Sequence, residues 1–174
     1  SDLVGLASRD SLILEFSPTM ISLILAGKVG SSIASELGSM RVTEQIDALE
    51  IMGINSAAFL ILPKVIAAVF FFPFLIIISM GVGMVGAWVG GLSANITTAD
   101  FMFGLKYEFI PFYITYAIIK TIFFAFIIST VSAYFGYHTK GGAIAVGKAS
   151  TAAVVASSIL ILLFNYILTD IILS

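Results

Sequence analysis

Ten acidic side chains, eight basic ones, a single histidine (His138) and no cysteine are spread over 174 residues. That inventory is poor in chemistry. Without cysteine there is no thiolate nucleophile, thiolate metal site or disulfide, and the redox compartment is left open. One histidine gives no basis for a histidine-ligated metal. No segment gathers the His, Asp and Glu groups that acid–base or metal chemistry needs. Gly142 to Ala149 has the spacing of a phosphate-binding loop, G-x-x-x-x-G-K-[ST], but Ala149 stands where the Mg²⁺-binding hydroxyl belongs. Long apolar segments flank it where a strand should precede, so it reads as a chance match in a flexible loop.

The charges that stand out do so by position. Lys28 and Lys120 fall inside long apolar stretches, where an ionised group costs about 2.5–3.5 kcal/mol. Each should face a bundle interior, a watery cavity or an acidic partner. Lys28 lies toward one end of its stretch and is able to snorkel. Lys120 is nearer the middle, with Glu15, Glu36 and Glu108 as possible partners. Glu15 precedes Pro18 at the mouth of the first stretch, and Asn165 and Asp170 lie at the corresponding end of the last. Glu15 is either a helix-start acid favoured by the dipole or a polar group at the entrance of a substrate cavity; Asn165 and Asp170 carry the same ambiguity.

Residues 41–53 form the most informative segment. Val42, Ile46, Leu49 and Met52 share one helical face, and Glu44, Asp47 and Glu50 make an acidic face. Thr43 is placed to cap the start, the acids suit the first turn, and Gly53 suits the C-terminal stop. The spacing predicts a short amphipathic helix. Helices that lie on anionic lipid carry Lys and Arg on the polar face; this one carries carboxylates, with Arg41 ahead of them. It therefore reads either as a connector resting on its own bundle or as a docking handle for a protein partner with a basic or apolar groove.

The elements that must position these groups follow from composition. Hydrophobic residues make up 60% and charged residues 10% of the chain, against roughly 45–50% and about 25% in soluble domains. A water-soluble enzyme and a disordered chain are both excluded. The net charge of −2 speaks against nucleic acid. Four stretches are long enough to cross a bilayer as helices: about 12–37, 59–92, 109–137 and 151–173. They lack strict alternation, so an all-α membrane bundle of four spans is expected, not a barrel. Pro63 suits a first helical turn and Pro73 should kink the second span. Connections 38–58 and 138–150 fall on one side and 93–108 on the other; Arg41, Lys140 and Lys148 place the first two in the cytoplasm, by a small margin. Ala26, Gly30, Ala34 and Gly38 recur at steps of four, as do Gly83, Ala87 and Gly91. Such stripes serve intrachain packing, a homodimer seam or a mobile contact. No signal peptide is visible, and the N-terminus of a longer protein is expected to be missing.

The run from Ala26 to Gly53, AGKVGSSIASELGSMRVTEQIDALEIMG, resembles the signature of MlaE-type permeases, and Gly141–Gly147 through Val155 resembles that family's second cytoplasmic loop and last span. Lys120 matches a family lysine in the penultimate span. Leu14-Glu15-Phe16-Ser17-Pro18 keeps the Glu and Pro of the family's R-E-L-G-P, and Lys28 replaces a common Arg. The resemblance implies a single permease domain in the bacterial inner membrane, normally of five spans plus an N-terminal interfacial helix. It implies transport of phospholipid between inner and outer membranes. Residues 41–53, with Arg41, Glu44, Asp47, Leu49, Glu50 and Met52, would then be the coupling helix that docks on a separate ABC ATPase, which holds the ATP and Mg²⁺. No cofactor would sit in this chain. Two copies would pair around an apolar lipid cavity, joined by a periplasmic MCE-domain protein. The alternative is a self-contained channel or secondary transporter, which favours inverted repeats; the sequence shows no internal repeat. An intramembrane enzyme lacks candidate residues.

Overall fold

The computed structural model describes residues 3–174, and no strand occurs among the described residues. Four helices are long and apolar enough to cross a membrane: α1 (Val4–Val42), α3 (Ala57–Ser93), α5 (Phe112–Tyr137) and α6 (Ala143–Leu173). Two short helices lie in the connections, α2 (Gln45–Ile51) and α4 (Thr98–Lys106). The architecture is an all-α membrane bundle, as the composition requires.

Helix α1 has 39 residues and α3 has 37, so at about 1.5 Å per residue each runs well past a hydrocarbon core of about 30 Å. They tilt or emerge at both ends. Helix α1 is continuous but widens into π-helix over Leu12–Met20 and again over Ala26–Gly30. Pro18 sits inside the first of these. Proline cannot donate to the preceding turn and crowds the carbonyl four residues back; the extra residue in a π turn relieves that crowding. A third π stretch, Ala57–Ile61, opens α3 just ahead of Pro63, so the helix begins before the proline that was expected to start it. Pro73 does not interrupt α3.

The core is centred on α5, which packs against α1, α3 and α6. Gly136 is why α5 comes so close to α1: a Cβ there would stand 2.6 Å from the Ala34 carbonyl oxygen and 2.9 Å from Leu37 Cβ. The stripe Ala26, Gly30, Ala34 and Gly38 is buried inside this chain, with Gly30 against Ser132 and Gly38 against Thr139 and Val146. Of the alternatives left open for it, intrachain packing is the one observed. In the second stripe Gly83 meets Leu12 and Gly91 lies against Ile96, while Gly86, the residue before Ala87, faces open space.

Two connections differ from expectation. Residues 93–108 hold α4, whose first turn is capped by the Thr97 side chain accepting from the Asp100 N–H at 3.2 Å. Residues 143–150 belong to α6 and are not a flexible loop, so the Gly142–Lys148 match is helical from Ala143 onward. At the same end as α4, Arg9 is 3% exposed. Its guanidinium donates to the carbonyls of Leu105 (2.8 Å) and Tyr107 (2.7 Å), closing the C-terminus of α4 against α1.

Candidate functional site

The first candidate site is a polar node inside the bundle. Lys120, on α5, is 0% exposed. Its Nζ lies 3.0 Å from Glu15 Oε2 and 3.3 Å from the Leu14 carbonyl oxygen. Of the three possible carboxylates, Glu15 is the partner; Glu36 pairs with Lys64 at 2.9 Å instead. The ammonium also sits 5.2 Å from the Tyr116 ring centroid, within cation–π range. Glu15 Oε1 accepts from Asn165 Nδ2 at 2.6 Å and from Thr19 Oγ1 at 2.9 Å. The carboxylate thus joins α1, α5 and α6. Glu15 and Thr19 both lie in the π stretch around Pro18, and such stretches frequently mark functional positions. Nearby, the hydroxyls of Tyr116 and Thr169 are 2.7 Å apart, tying α5 to α6 a second time.

The node is asymmetric. Lys120 is sealed, whereas the Glu15 side chain is 50% exposed on the flank of the bundle. The next residue, Phe16, lines an apolar groove of about 520 Å³ between α1 and α3, with Leu12, Leu75, Ile78 and Gly83. The half-open carboxylate is thus held by an ammonium and an amide, and the residue that follows it in the chain lines the apolar groove. Lys28 is exposed in the second π stretch.

The second candidate site is at the opposite end, around α2. The helix is shorter than 41–53. Arg41 and Val42 belong to the last turn of α1, and Thr43 closes that turn by donating from Oγ1 to the Ser39 carbonyl at 2.7 Å. Glu44 then takes a left-handed φ of 63° and α2 starts at Gln45. Local propensity alone does not show this break; α1 continues because Leu37 and Gly38 are still packed in the bundle. The expected stop at Gly53 is present: φ is +79°, the Gly53 N–H reaches the Glu50 carbonyl and the Ile54 N–H reaches the Leu49 carbonyl, both at 3.0 Å.

The apolar face is likewise redistributed. Ile46 is buried and Leu49 half-buried, while Ile51 is 87% and Met52 67% exposed. Two of the three acids turn toward their own chain. Asp47 Oδ1 accepts from Arg41 Nη1 at 3.1 Å. Glu50 accepts from the Ser56 hydroxyl and, at 3.4 Å, from the Ser56 N–H. That hydroxyl, with the N–H behind it, holds the Glu50 carboxyl below the usual glutamate range. The Ser56 proton is committed to Glu50, so the Tyr137 hydroxyl, 2.7 Å from Ser56 Oγ, is the donor to Ser56. Arg41 Nε donates to the Tyr137 carbonyl at 2.8 Å and its guanidinium stacks 4.4 Å from the Tyr137 ring centroid. All three acids are solvent-exposed, and Glu44 is the one whose carboxylate has no partner among the described residues.

Sequence reasoning missed Arg9, Ser56, Tyr137 and α4. Helix α4 had a readable signal, Thr97-x-x-Asp100 ahead of Phe101 and Leu105. The other three act through partners 81 to 98 residues away, which no local pattern reveals.

Comparison with known proteins bears on both sites. The family model described as Permease MlaE matches residues 1–171. A probable ABC transporter permease protein of Rickettsia bellii is 42% identical over 161 residues, covering 92% of this chain and 62% of that protein. The chloroplastic protein TRIGALACTOSYLDIACYLGLYCEROL 1 of Arabidopsis thaliana is 38% identical over 161 residues, covering 90% of this chain and 45% of the relative. A probable ABC transporter permease protein of Synechocystis is 35% identical over 160 residues, covering 91% and 61%. The chain therefore spans under two thirds of the length of these relatives.

Proposed function

The chain belongs to the MlaE permease family, and from that premise we propose that it is the membrane subunit of an ABC transporter that moves phospholipid between the bacterial inner and outer membranes. A separate ATPase, carrying ATP and Mg²⁺, docks on α2. The carrying observation is that α2 projects Ile51 and Met52 into the open beyond the bundle, 87% and 67% exposed, at a turn between two spans. Large apolar side chains held out on a helix end are what a groove on a soluble partner takes up.

The Glu15–Lys120–Asn165 node supports the lipid reading. Its open carboxylate meets the charged end of a phospholipid, and the adjoining groove past Phe16 accommodates an acyl chain. The name of the Arabidopsis relative contains that of a galactolipid, which agrees with a lipid cargo. In the family frame the end bearing α2 is cytoplasmic, two copies pair around the lipid, and a periplasmic MCE-domain protein receives it. ATP-driven closure of the ATPases moves the coupling helices as rigid bodies.

The experiment is co-purification of the permease with its ATPase, using Ile51→Asp combined with Met52→Asp. Both side chains are exposed, so the bundle should keep its melting midpoint while ATPase retention is lost. Normal retention by this variant would overturn the docking site. Lipid analysis of the purified wild type should find phospholipid, and its absence would overturn the cargo.

A further inference from the structure

Helix α2 is tied to the bundle at both of its ends through one residue of α5. At the leading end, Asp47 holds Arg41, whose Nε bonds the Tyr137 carbonyl and whose guanidinium stacks on the Tyr137 ring. At the trailing end, Glu50 holds Ser56, whose oxygen accepts from the Tyr137 hydroxyl. Each tie starts at a carboxylate of α2 itself. Ser56 is fully buried, so the hydroxyl at the centre of this second tie is withdrawn from water, while its Glu50 end is exposed. A third contact, Lys64 to Glu36, braces the two helices that flank the turn but does not touch α5.

We infer that Tyr137 is the positioning residue that makes α2 and α5 move as one body. The inference rests on the docking reading above and names the route by which docking reaches the membrane. Seventeen residues up the same helix is Lys120, about 26 Å away at 1.5 Å per residue. No proline interrupts α5 between them. A tilt of α2 on its partner is therefore delivered to α5 and to the Glu15–Lys120 node, because each end of α2 is held and neither can hinge freely. If the ties were absent, Glu44 and Gly53, both at left-handed φ, would let α2 swing while α5 stayed still.

The test uses the permease–ATPase complex reconstituted in phosphatidylethanolamine–phosphatidylglycerol vesicles with a fluorescent phosphatidylethanolamine reporter. Tyr137→Phe removes only the hydroxyl; Ser56→Ala removes its partner. Both variants should retain the ATPase and its basal hydrolysis. Lipid moved per ATP should fall about five-fold in Tyr137→Phe, the equivalent of about 1 kcal/mol for one hydrogen bond, and at least as far in Ser56→Ala, which also loses the hydroxyl bond to Glu50. The double variant should fall no further than Ser56→Ala alone, because that change already breaks the bond Tyr137→Phe removes. Unchanged lipid movement per ATP with the ATPase retained would overturn the inference alone. Loss of ATPase retention in the variants would also overturn it, since the hydroxyl would then only be folding α2. Failure of the wild type to retain the ATPase would defeat the docking reading and this inference with it.

Discussion

The asymmetry of the polar node makes a prediction that a simple ion-pair picture does not. Lys120 is 0% exposed and the Glu15 side chain 50% exposed, so removing either partner leaves a different residue behind. Glu15→Gln strands a sealed ammonium with one carbonyl and two aromatic rings for company. Breaking a fully buried pair costs about 3–5 kcal/mol; discounting for the open side of Glu15 gives about 2–3 kcal/mol. Lys120→Met removes the buried charge and fills its path with a flexible apolar chain. Glu15 then keeps its bonds from Thr19 and Asn165 and its open face, so the cost should stay under about 1 kcal/mol. The double variant should resemble Lys120→Met alone, a coupling of about 2 kcal/mol. Thermal melting in lipid nanodiscs reads this directly. For a chain of this size Glu15→Gln should lower the midpoint by about 5–10 °C, Lys120→Met by much less, and the second substitution should rescue the first. A Lys120→Met variant that melts as low as Glu15→Gln, or a double variant equal to the sum of the singles, would show that burial of the ammonium is not what the node is balancing.

Two glycines and one carboxylate give sharper local checks. Gly136→Ala places a methyl 2.6 Å from the Ala34 carbonyl oxygen and should destabilise the bundle by about 1–3 kcal/mol, while Gly86→Ala, with nothing within 4 Å, should be neutral or gain up to about 1 kcal/mol from helix propensity; equal melting points for the two variants would contradict the packing described. The Glu50 carboxyl is held below its ordinary range chiefly by the Ser56 hydroxyl. A depressed value means that its contribution is complete above the ordinary glutamate range and is lost as pH falls through the depressed value. Hydrogen-exchange protection of the Ser56 amide should therefore hold down to the ordinary glutamate range, about 4.3, and fade only below it, and Ser56→Ala should move that loss to higher pH; a profile that is flat, or the same in both proteins, refutes the assignment.

How much of this was legible in the sequence depends on the range of the interaction that decides each element. The four spans are legible because twenty or so apolar residues are a local property, and burial in a bilayer depends on little else. Gly53 is legible because a left-handed C-terminal stop is local too. The start of α2 is not. Residues 41–53 carry one unbroken helical pattern, but Arg41 and Val42 are claimed by α1, whose last turns are held in the bundle by Leu37 and Gly38. The partner of Lys120 was narrowed to three carboxylates and no further, because choosing among Glu15, Glu36 and Glu108 requires the helix rotations that only packing sets. The π stretch around Pro18 is a tertiary compromise of the same kind: the proline announces a disturbance, but not that the helix widens around it while continuing to Val42.

The acidic face of α2 shows why charge pattern and charge use differ. Three carboxylates at steps of three suggest a surface offered to a basic partner. In the folded chain Asp47 faces Arg41 and Glu50 faces Ser56, so two of them are engaged with the chain that carries them. What α2 offers outward is Ile51 and Met52, with Glu44 at the opposite end. The binding energy of a groove partner then has to come mainly from burying those two side chains, on the order of 1.5–3 kcal/mol each. The exposed carboxylates, two of them already engaged within the chain, add direction and little affinity, since exposed ion pairs contribute about 0–1 kcal/mol. The groove that receives α2 should therefore be apolar at its floor and basic only at one rim, and salt should weaken the complex slightly where an acid-to-base interface would be weakened strongly. The two engaged acids act one step earlier: they keep the offered face rigid, so that little conformational freedom remains to be lost when the partner closes on it.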